Sequence, residues 1–507
     1  MKDKLLKKCA ALEPILYEHP LFPLREVVFR KDKRAWQGFS AQTKCSAEEA
    51  LSRSYRTGDR FILDFGETSP GHLELAMDME KAHNDSPVRL KFVFAEFPLE
   101  IIEEGLPLPA TLSPSWLPEE IVTFDDLPVR ARLPRRYQMR YLLIEVLGAP
   151  AYGLKFRKLV FHSCSAVDPG KLLEVAGRTQ LFRKIDDICL RTLRNCMQTV
   201  FEDGPKRDRR LWLGDLRIQA KVNACTYRNF DAVEHSMYLL ASFSNPDGVI
   251  SSDVYERPSY AGGRCFISDY AMLFSDLLLD HYRNTGRLSV VKDLFPVAEK
   301  QFGIFREAMH RFELFPIWNF IDWKDDLDRL TPELCVYVFG LRRLAELAGI
   351  LGQKKKASAY RTEAESFSRE IREKCFDSKR GLFVSGEKKQ ISYASQIWAV
   401  LAEIVPQEEA APLLLRLART PEAVKPVTPY LQHHYTEALL FAGLKKEARA
   451  FIGFYWGSMV HAGMDVCPEV FVPDQPFLSP YGDTVRLNSA CHAWSCGASY
   501  FIRKYDL

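Results

Sequence analysis

The sequence contains no run of about 18 uninterrupted apolar residues, the length that a membrane-crossing helix needs, so no membrane partner is expected. Its amino terminus, MKDKLLKKCAALEPILYEHPLF, lacks an apolar stretch of signal-peptide length, and Glu13 and Glu18 follow the basic residues. The expectation is an unprocessed, cytoplasmic protein. Neither sign of charge is in excess. The 69 basic and 66 acidic residues leave a net charge of +3, which excludes the basic footprint of a nucleic-acid binder. No CxxC pair and no Cys/His set at zinc-finger spacing occurs among the twelve cysteines, which read as small apolar core residues. Cys491 and Cys496 flank His492, but one C-x4-C is no ligand set. His433 and His434 are adjacent, face different ways on any helix, and read as caps or core contacts. Also missing are a phosphate-cradling GxxxxGK[ST], an HExxH, a GxGxxG after a strand and a GxSxG elbow. No metal and no cofactor are expected. Oligomeric state is not readable.

What is present is a globular composition, 47% hydrophobic and 27% charged, enough to bury a large core and incompatible with long disorder. The first part of the chain reads as strands. RFILDFG at 60–66 is a short apolar run, Leu73, Leu75, Met77 and Met79 alternate with polar neighbours, and Val88, Leu90, Phe92 and Phe94 repeat the pattern. Runs at 141–147 and 154–161 complete an antiparallel β-sandwich, expected over 1–170. From 171 to 507 the period is helical, over 172–202, 269–285, 290–310, 332–351, 355–375, 392–404, 407–419 and 432–461. The helices come in pairs joined by short turns such as Asn284-Thr285-Gly286. No fixed-length repeat is visible, which argues against an open array, and the expected architecture is a closed α/α toroid of hairpins with a cavity at one end.

The unusual residues lie between the helices. EDGPKRDRRLWLGD at 202–215 packs Asp203, Lys206, Arg207, Asp208, Arg209, Arg210, Trp212 and Asp215 into one loop. DVYERPSYAGGRCFISDY at 253–270 supplies Tyr255, Glu256 and Asp269. WNFIDWKDD at 318–326 supplies Trp318, Asp322 and Trp323. The segment 465–494 supplies Glu469, Asp474, Tyr481, His492 and Trp494. Aromatic residues interleaved with carboxylates suit a carbohydrate: ring faces stack on the apolar side of a pyranose, charged groups take its hydroxyls, and two carboxyl groups across a glycosidic oxygen supply acid and base.

The helical part resembles glycoside hydrolase family 78, the α-L-rhamnosidases of the six-hairpin glycosidase superfamily. The usual loop, D-C-P-x-R-D-E-R-x-G-W-x-G-D, is matched at Asp203, Pro205, Arg207, Asp208, Trp212, Gly214 and Asp215. WGSMVHAGMDVCPEVF followed by SACHAW resembles the family's carboxy-terminal signature, with Glu469 and His492 at the pocket positions. The resemblance implies an inverting, exo-acting glycosidase that removes a terminal rhamnose-like sugar, with Glu469 as base. It also implies an (α/α)6 barrel for the helical part. With the loop residues read above, the expected substrate contacts are Asp203, Arg207, Arg209, Trp212, Tyr255, Glu256, Asp322, Trp323 and His492. One departure stands out. The loop is one residue shorter, K-R-D-R replaces R-D-E-R, and Arg209 occupies the place of the family's acid. An arginine, with a pKa above about 12, donates no proton at neutral pH. The acid is then Asp215 or Asp208, with Asp215 slightly favoured because Asp208 sits between arginines; if both instead hold sugar hydroxyls, Glu256 or Asp322 supplies it. Two alternatives remain: a sugar-binding pseudoenzyme, supported by Arg209, or a six-hairpin enzyme of another class, phosphorolytic or lyase-like, whose phosphate the basic loop would hold.

Overall fold

The computed structural model describes residues 2–80, 87–108, 113–171, 173–482 and 484–507. Nine antiparallel strands come first: β1 (Tyr17–Leu21), β2 (Arg25–Lys31), β3 (Phe39–Ser46), β4 (Arg60–Met79), β5 (Val88–Ala95), β6 (Glu119–Phe124), β7 (Val129–Arg132), β8 (Tyr137–Gly148) and β9 (Leu154–Ser165). The main order is β1-β9-β4-β8-β5-β6, with β2 and β7 also paired to β4. The expected strands at 60–66 and 73–79 are one 20-residue strand. Gly66 takes φ +84° and the pairing register shifts between Asp64 and Ser69, so the chain bends without leaving the sheet. The first half of β4 pairs with β2 and β8, and the second half with β7 and β9. This long strand closes the sheet over a core that includes Leu73, Leu75, Met77, Leu90, Phe92 and Phe94, the alternating positions of the sequence.

Three helices accompany the sheet in chain order: α1 (Lys2–Ala10), α2 (Ala47–Ser52) and α3 (Pro98–Ile102). α1 leaves the sandwich behind. Its Leu5 and Cys9 join the core of the helical part, and the Cys9 carbonyl accepts from His235 Nδ1 at 2.8 Å.

Twelve helices follow among the described residues: α4 (Gln180–Cys196), α5 (Leu213–Ala224), α6 (Phe230–Ala241), α7 (Ser268–Thr285), α8 (Leu288–His310), α9 (Leu330–Ile350), α10 (Lys354–Cys375), α11 (Tyr393–Leu401), α12 (Gln407–Leu417), α13 (Pro429–Phe441), α14 (Lys445–His461) and α15 (Ala498–Lys504). Gly286, at φ +69°, ends α7 in the left-handed cap that the Asn-Thr-Gly turn suggested. The stretch 432–461 is two helices, because Gly443 at φ +76° turns the chain between α13 and α14. Inner helices touch in sequence: α5 with α7, α7 with α9, α9 with α11, and α11 with α13. The 3-10 turn Ala493–Gly497 contacts both α13 and α5, which closes the ring. α5 escapes sequence periodicity because it is buried nearly all round. Asp215, Arg217, Gln219, Lys221 and Asn223 are as buried as Leu216 and Val222, so no polar face marks it.

Candidate active site

The amino-terminal ends of α5 and α7, the segment before α9 and the segment between α14 and α15 converge on one narrow pocket. It is lined by Asp203, Asp208, Trp212 and Asp215 before and within the first turn of α5, and by Ile267 and Tyr270 at the start of α7. Trp318, Phe320 and Trp323 precede α9, while Glu469, Tyr481, His492 and Trp494 lie between α14 and α15. Helix amino termini carry partial positive charge, which favours carboxylates gathering at this end of the ring.

The loop 203–210 is tied at its base. Asp203 N donates to Arg210 O at 2.9 Å, and Arg210 N returns a bond to Asp203 Oδ1 at 3.1 Å. Asp203 O accepts from Ala493 N at 2.7 Å, which locks the loop to the carboxy-terminal segment. Between these anchors Asp208 and Arg209 both take left-handed backbone, at φ +59° and +54°. For residues with a Cβ this is strained geometry, and such strain gathers at functional sites. It turns the half-buried Asp208 onto the pocket wall, where its Oδ1 has no partner in the protein. It turns Arg209 away: Nε bonds Pro205 O at 2.9 Å and an Nη bonds Arg136 O at 2.7 Å. Burial, then the neighbouring Arg136, lowers the Arg209 guanidinium to about 10, so it stays charged at neutral pH. The expectation that Arg209 contacts substrate is therefore corrected.

Arg207 is also off the wall, beneath it. Its Nε donates to Leu487 O at 2.6 Å and its Nη2 pairs with Glu469 Oε2. Burial works against its charge, and the Glu469 carboxylate more than restores it. The Tyr481 hydroxyl donates to the other Glu469 oxygen, Oε1, at 2.8 Å. Glu469 is thus 3% exposed, held at both oxygens and faced by a permanent cation.

Asp215 sits in the first turn of α5, 2% exposed, with Oδ1 3.4 Å from His492 Nδ1. Burial, then the Glu469 charge, raises its carboxyl well above the usual range. Asp203 is raised likewise, by burial and then by Asp208 and Asp215. Burial and Arg207 lower His492, so its ring is neutral. The aromatic walls are mutually braced, with Phe320 stacked on Trp494 at 5.6 Å and Trp318 against Trp323 at 5.5 Å. Gly214 is required here, since a Cβ would lie 2.2 Å from the Tyr270 ring.

Three further expected contacts lie elsewhere. Tyr255 is 37% exposed and carries the Arg210 guanidinium over its ring at 4.4 Å. Glu256 accepts from Thr199 Oγ1 at 2.8 Å. Asp322 accepts from Val427 N and Thr428 N at 2.9 and 3.2 Å, caps the approach to α13, and is used up structurally. Ile267, Tyr270 and Phe320 are pocket residues that sequence reasoning passed over. Phe320 had a signal, since it lies between Trp318 and Trp323. No group of three or more His, Cys, Asp or Glu among the described residues is placed to hold a metal.

The sandwich reaches into this site. Lys206, next to Arg207, is buried among Glu100 of α3, Glu96 at 3.3 Å and Arg486 O at 3.0 Å. Burial raises Glu100 to about 7; Lys206 opposes the shift and Glu96 adds to it. The folded value thus exceeds that of an unfolded glutamate, about 4.3. The native state holds this proton more tightly, so the contribution to stability is complete below that value and is lost as pH rises through 7. Glu100→Gln should flatten the fall in stability between pH 4.5 and 7, measured as urea midpoints across that range. An unchanged slope would refute the assignment.

Known proteins can now be set beside this geometry. Residues 23–163 match the glycosyl hydrolase family 78 alpha-rhamnosidase N-terminal domain, and residues 174–505 match the bacterial alpha-L-rhamnosidase 6 hairpin glycosidase domain. No curated protein matches the chain in sequence. A solved structure, the rhamnosidase from Klebsiella oxytoca with rhamnose bound, is 35% identical, covers 100% of this chain and 99% of its own, and superposes with a TM-score of 0.95. The family 78 rhamnosidase of Bacillus sp. GL1 is 20% identical over 87% of this chain, with a TM-score of 0.74. The Streptomyces avermitilis α-L-rhamnosidase complexed with L-rhamnose is 14% identical over 97%, at 0.68. At those identities the last two show the fold, and this chain spans 46% and 44% of their lengths. The chain belongs to glycoside hydrolase family 78, the α-L-rhamnosidases with a six-hairpin catalytic domain.

Proposed function

We propose that the protein is an exo-acting, inverting α-L-rhamnosidase, with Glu469 as general base and Asp208 as general acid. The observation that carries this reading is the pairing, on one narrow pocket, of a Glu469 carboxylate held by Arg207 and Tyr481 with an Asp208 carboxyl that has an unpartnered oxygen. Arg207 pairs with Glu469 in a buried ion pair. The carboxylate retains lone pairs for a water, whose proton it takes as the water attacks the anomeric carbon. Asp208 is half-buried while Asp215 is almost fully enclosed. In a pocket that takes a terminal sugar, the bond to be broken points outward, and the outer carboxyl reaches its oxygen. The preference between the two thus moves from Asp215 to Asp208, which donates a proton as the C–O bond breaks.

The buried Asp203 and Asp215, whose carboxyls burial raises well above the usual range, line the pocket and hydrogen-bond sugar hydroxyls. The neutral His492 supplies Nδ1, also without a partner. Trp212, Trp323 and Trp494 cover the apolar ring face. Ile267 and Phe320 add an aliphatic and an aromatic contact that match the methyl group of a 6-deoxy sugar and leave the hydroxymethyl of a hexose without a partner. Arg209, the main support for an inactive sugar binder, faces away, so that alternative loses its observation.

Among the described residues no helix is long and apolar enough to cross a membrane, and all twelve cysteines are free. Free cysteines are the condition of a reducing compartment and support a cytoplasmic site. The test is incubation with p-nitrophenyl α-L-rhamnoside, followed by proton NMR of the sugar. L-rhamnose is the expected product, without a requirement for phosphate. Its absence from this and from rhamnose-terminated oligosaccharides would overturn the reading.

A further inference from the structure

A second concavity, of about 1380 Å³, adjoins the pocket. Trp323 lines both. On the pocket side its indole packs edge-on against Phe320 at 5.2 Å. Pro480 and Gly482, the neighbours of Tyr481, line the groove while Tyr481 itself lines the pocket, so the two spaces share a second partition. The groove is continuous with the site already assigned and is larger than the roughly 300–1,000 Å³ of pockets that hold a drug-sized ligand.

Its lining carries a row of aromatic rings. Tyr393 meets Tyr435 at 5.3 Å, Tyr435 meets Phe451 at 5.0 Å, and Phe451 stacks on Tyr455 at 5.7 Å, which makes a row of rings from α11 through α13 to α14. Phe454, on the same helix, is 62% exposed at the groove. Between the rings stand Asp326, Lys425 and Asp474. The lining combines ring faces and charged groups with prolines and valines, and the rings and charges suit sugar rings and their hydroxyls.

We infer that this groove binds the leaving portion of the substrate, a saccharide chain of two or more units, with its first ring at Trp323 and a later ring at Phe454. The inference rests on the hydrolase reading of the pocket, which takes only the terminal sugar. The substrate class is accordingly a rhamnose-terminated oligosaccharide rather than a small rhamnoside.

The experiment compares kcat/KM for a rhamnose-terminated tetrasaccharide with that for p-nitrophenyl α-L-rhamnoside, in the wild type and in Phe454→Ala. Phe454 is exposed, so its loss does not open the core. The ratio of the two values should fall roughly two- to tenfold in the variant, the size of one lost ring contact. An unchanged ratio would overturn the inference. Binding supplies a second readout that does not need turnover. By calorimetry on Glu469→Gln protein, the tetrasaccharide should bind more tightly than free L-rhamnose, and adding Phe454→Ala should remove most of that difference. Equal affinity for the two ligands would also overturn the groove. Absence of L-rhamnose release with the affinity difference intact would instead count against the hydrolase reading alone.

Discussion

Asp208→Asn is expected to lower kcat on a rhamnoside with an alkyl or sugar leaving group by about 10²–10⁴-fold, the usual worth of a positioned general acid. On a dinitrophenyl rhamnoside, whose leaving oxygen needs no proton, the loss should be small. The contrast matters more than the size. A residue that only orients the sugar would impair both substrates alike, and so would a residue that only shapes the loop. Asn is nearly isosteric, and the left-handed backbone at position 208 tolerates it better than most side chains. Equal losses on both substrates would remove Asp208 from the acid role. Asp215→Asn, tested in the same way, would then show whether the deeper carboxyl carries it.

Glu469→Gln should abolish turnover of every substrate to a similar degree, again by at least about 10²–10⁴-fold, because water activation does not depend on the leaving group. L-rhamnose should still bind, since Gln keeps the shape and an acceptor for Tyr481. The variant should also be less stable. Arg207 would be left buried without a counter-charge, and breaking one side of a buried pair costs about 3–5 kcal/mol. Thermal unfolding separates the two effects: activity measured well below the new midpoint reports the chemistry. Turnover that survives in a folded variant would take Glu469 out of the base role.

Much of this architecture is legible in the sequence. Alternation at 73–79 and 88–94 gives strands because one face of a sandwich is buried, and the 3.6-residue period from 269 onward gives helix pairs because outer helices keep a wet face. The same logic explains the failures. α5 has no wet face, so it has no period. The Gly66–Gly71 stretch separates two expected strands, yet a bulge carries β4 through it. Gly71 sits so close to His162 O that a Cβ there would lie 2.2 Å away, which explains a glycine inside a strand.

In the site, residue type gave the chemistry but not the partner. Asp322 and Glu256 have the right groups for a sugar, but backbone amides and Thr199 claim them. Arg207 was placed on the substrate and instead holds Glu469. The loop around Arg209 is the clearest case. Two consecutive left-handed residues reverse which side chain faces the pocket; Asp visits this conformation more often than most residues, but nothing about Arg209 announces it. The shortened loop therefore looks like the loss of an acid when read along the chain. In space it brings a different carboxyl to the wall.

The most direct measurement is proton NMR of the sugar in the first minutes of hydrolysis of an α-L-rhamnoside, before mutarotation mixes the anomers. A water activated by Glu469 on the face opposite to the proton donor must yield β-L-rhamnose first. Initial formation of the α-anomer would mean a covalent intermediate and two displacements, and would contradict the assignment of Glu469 and Asp208 as an inverting pair.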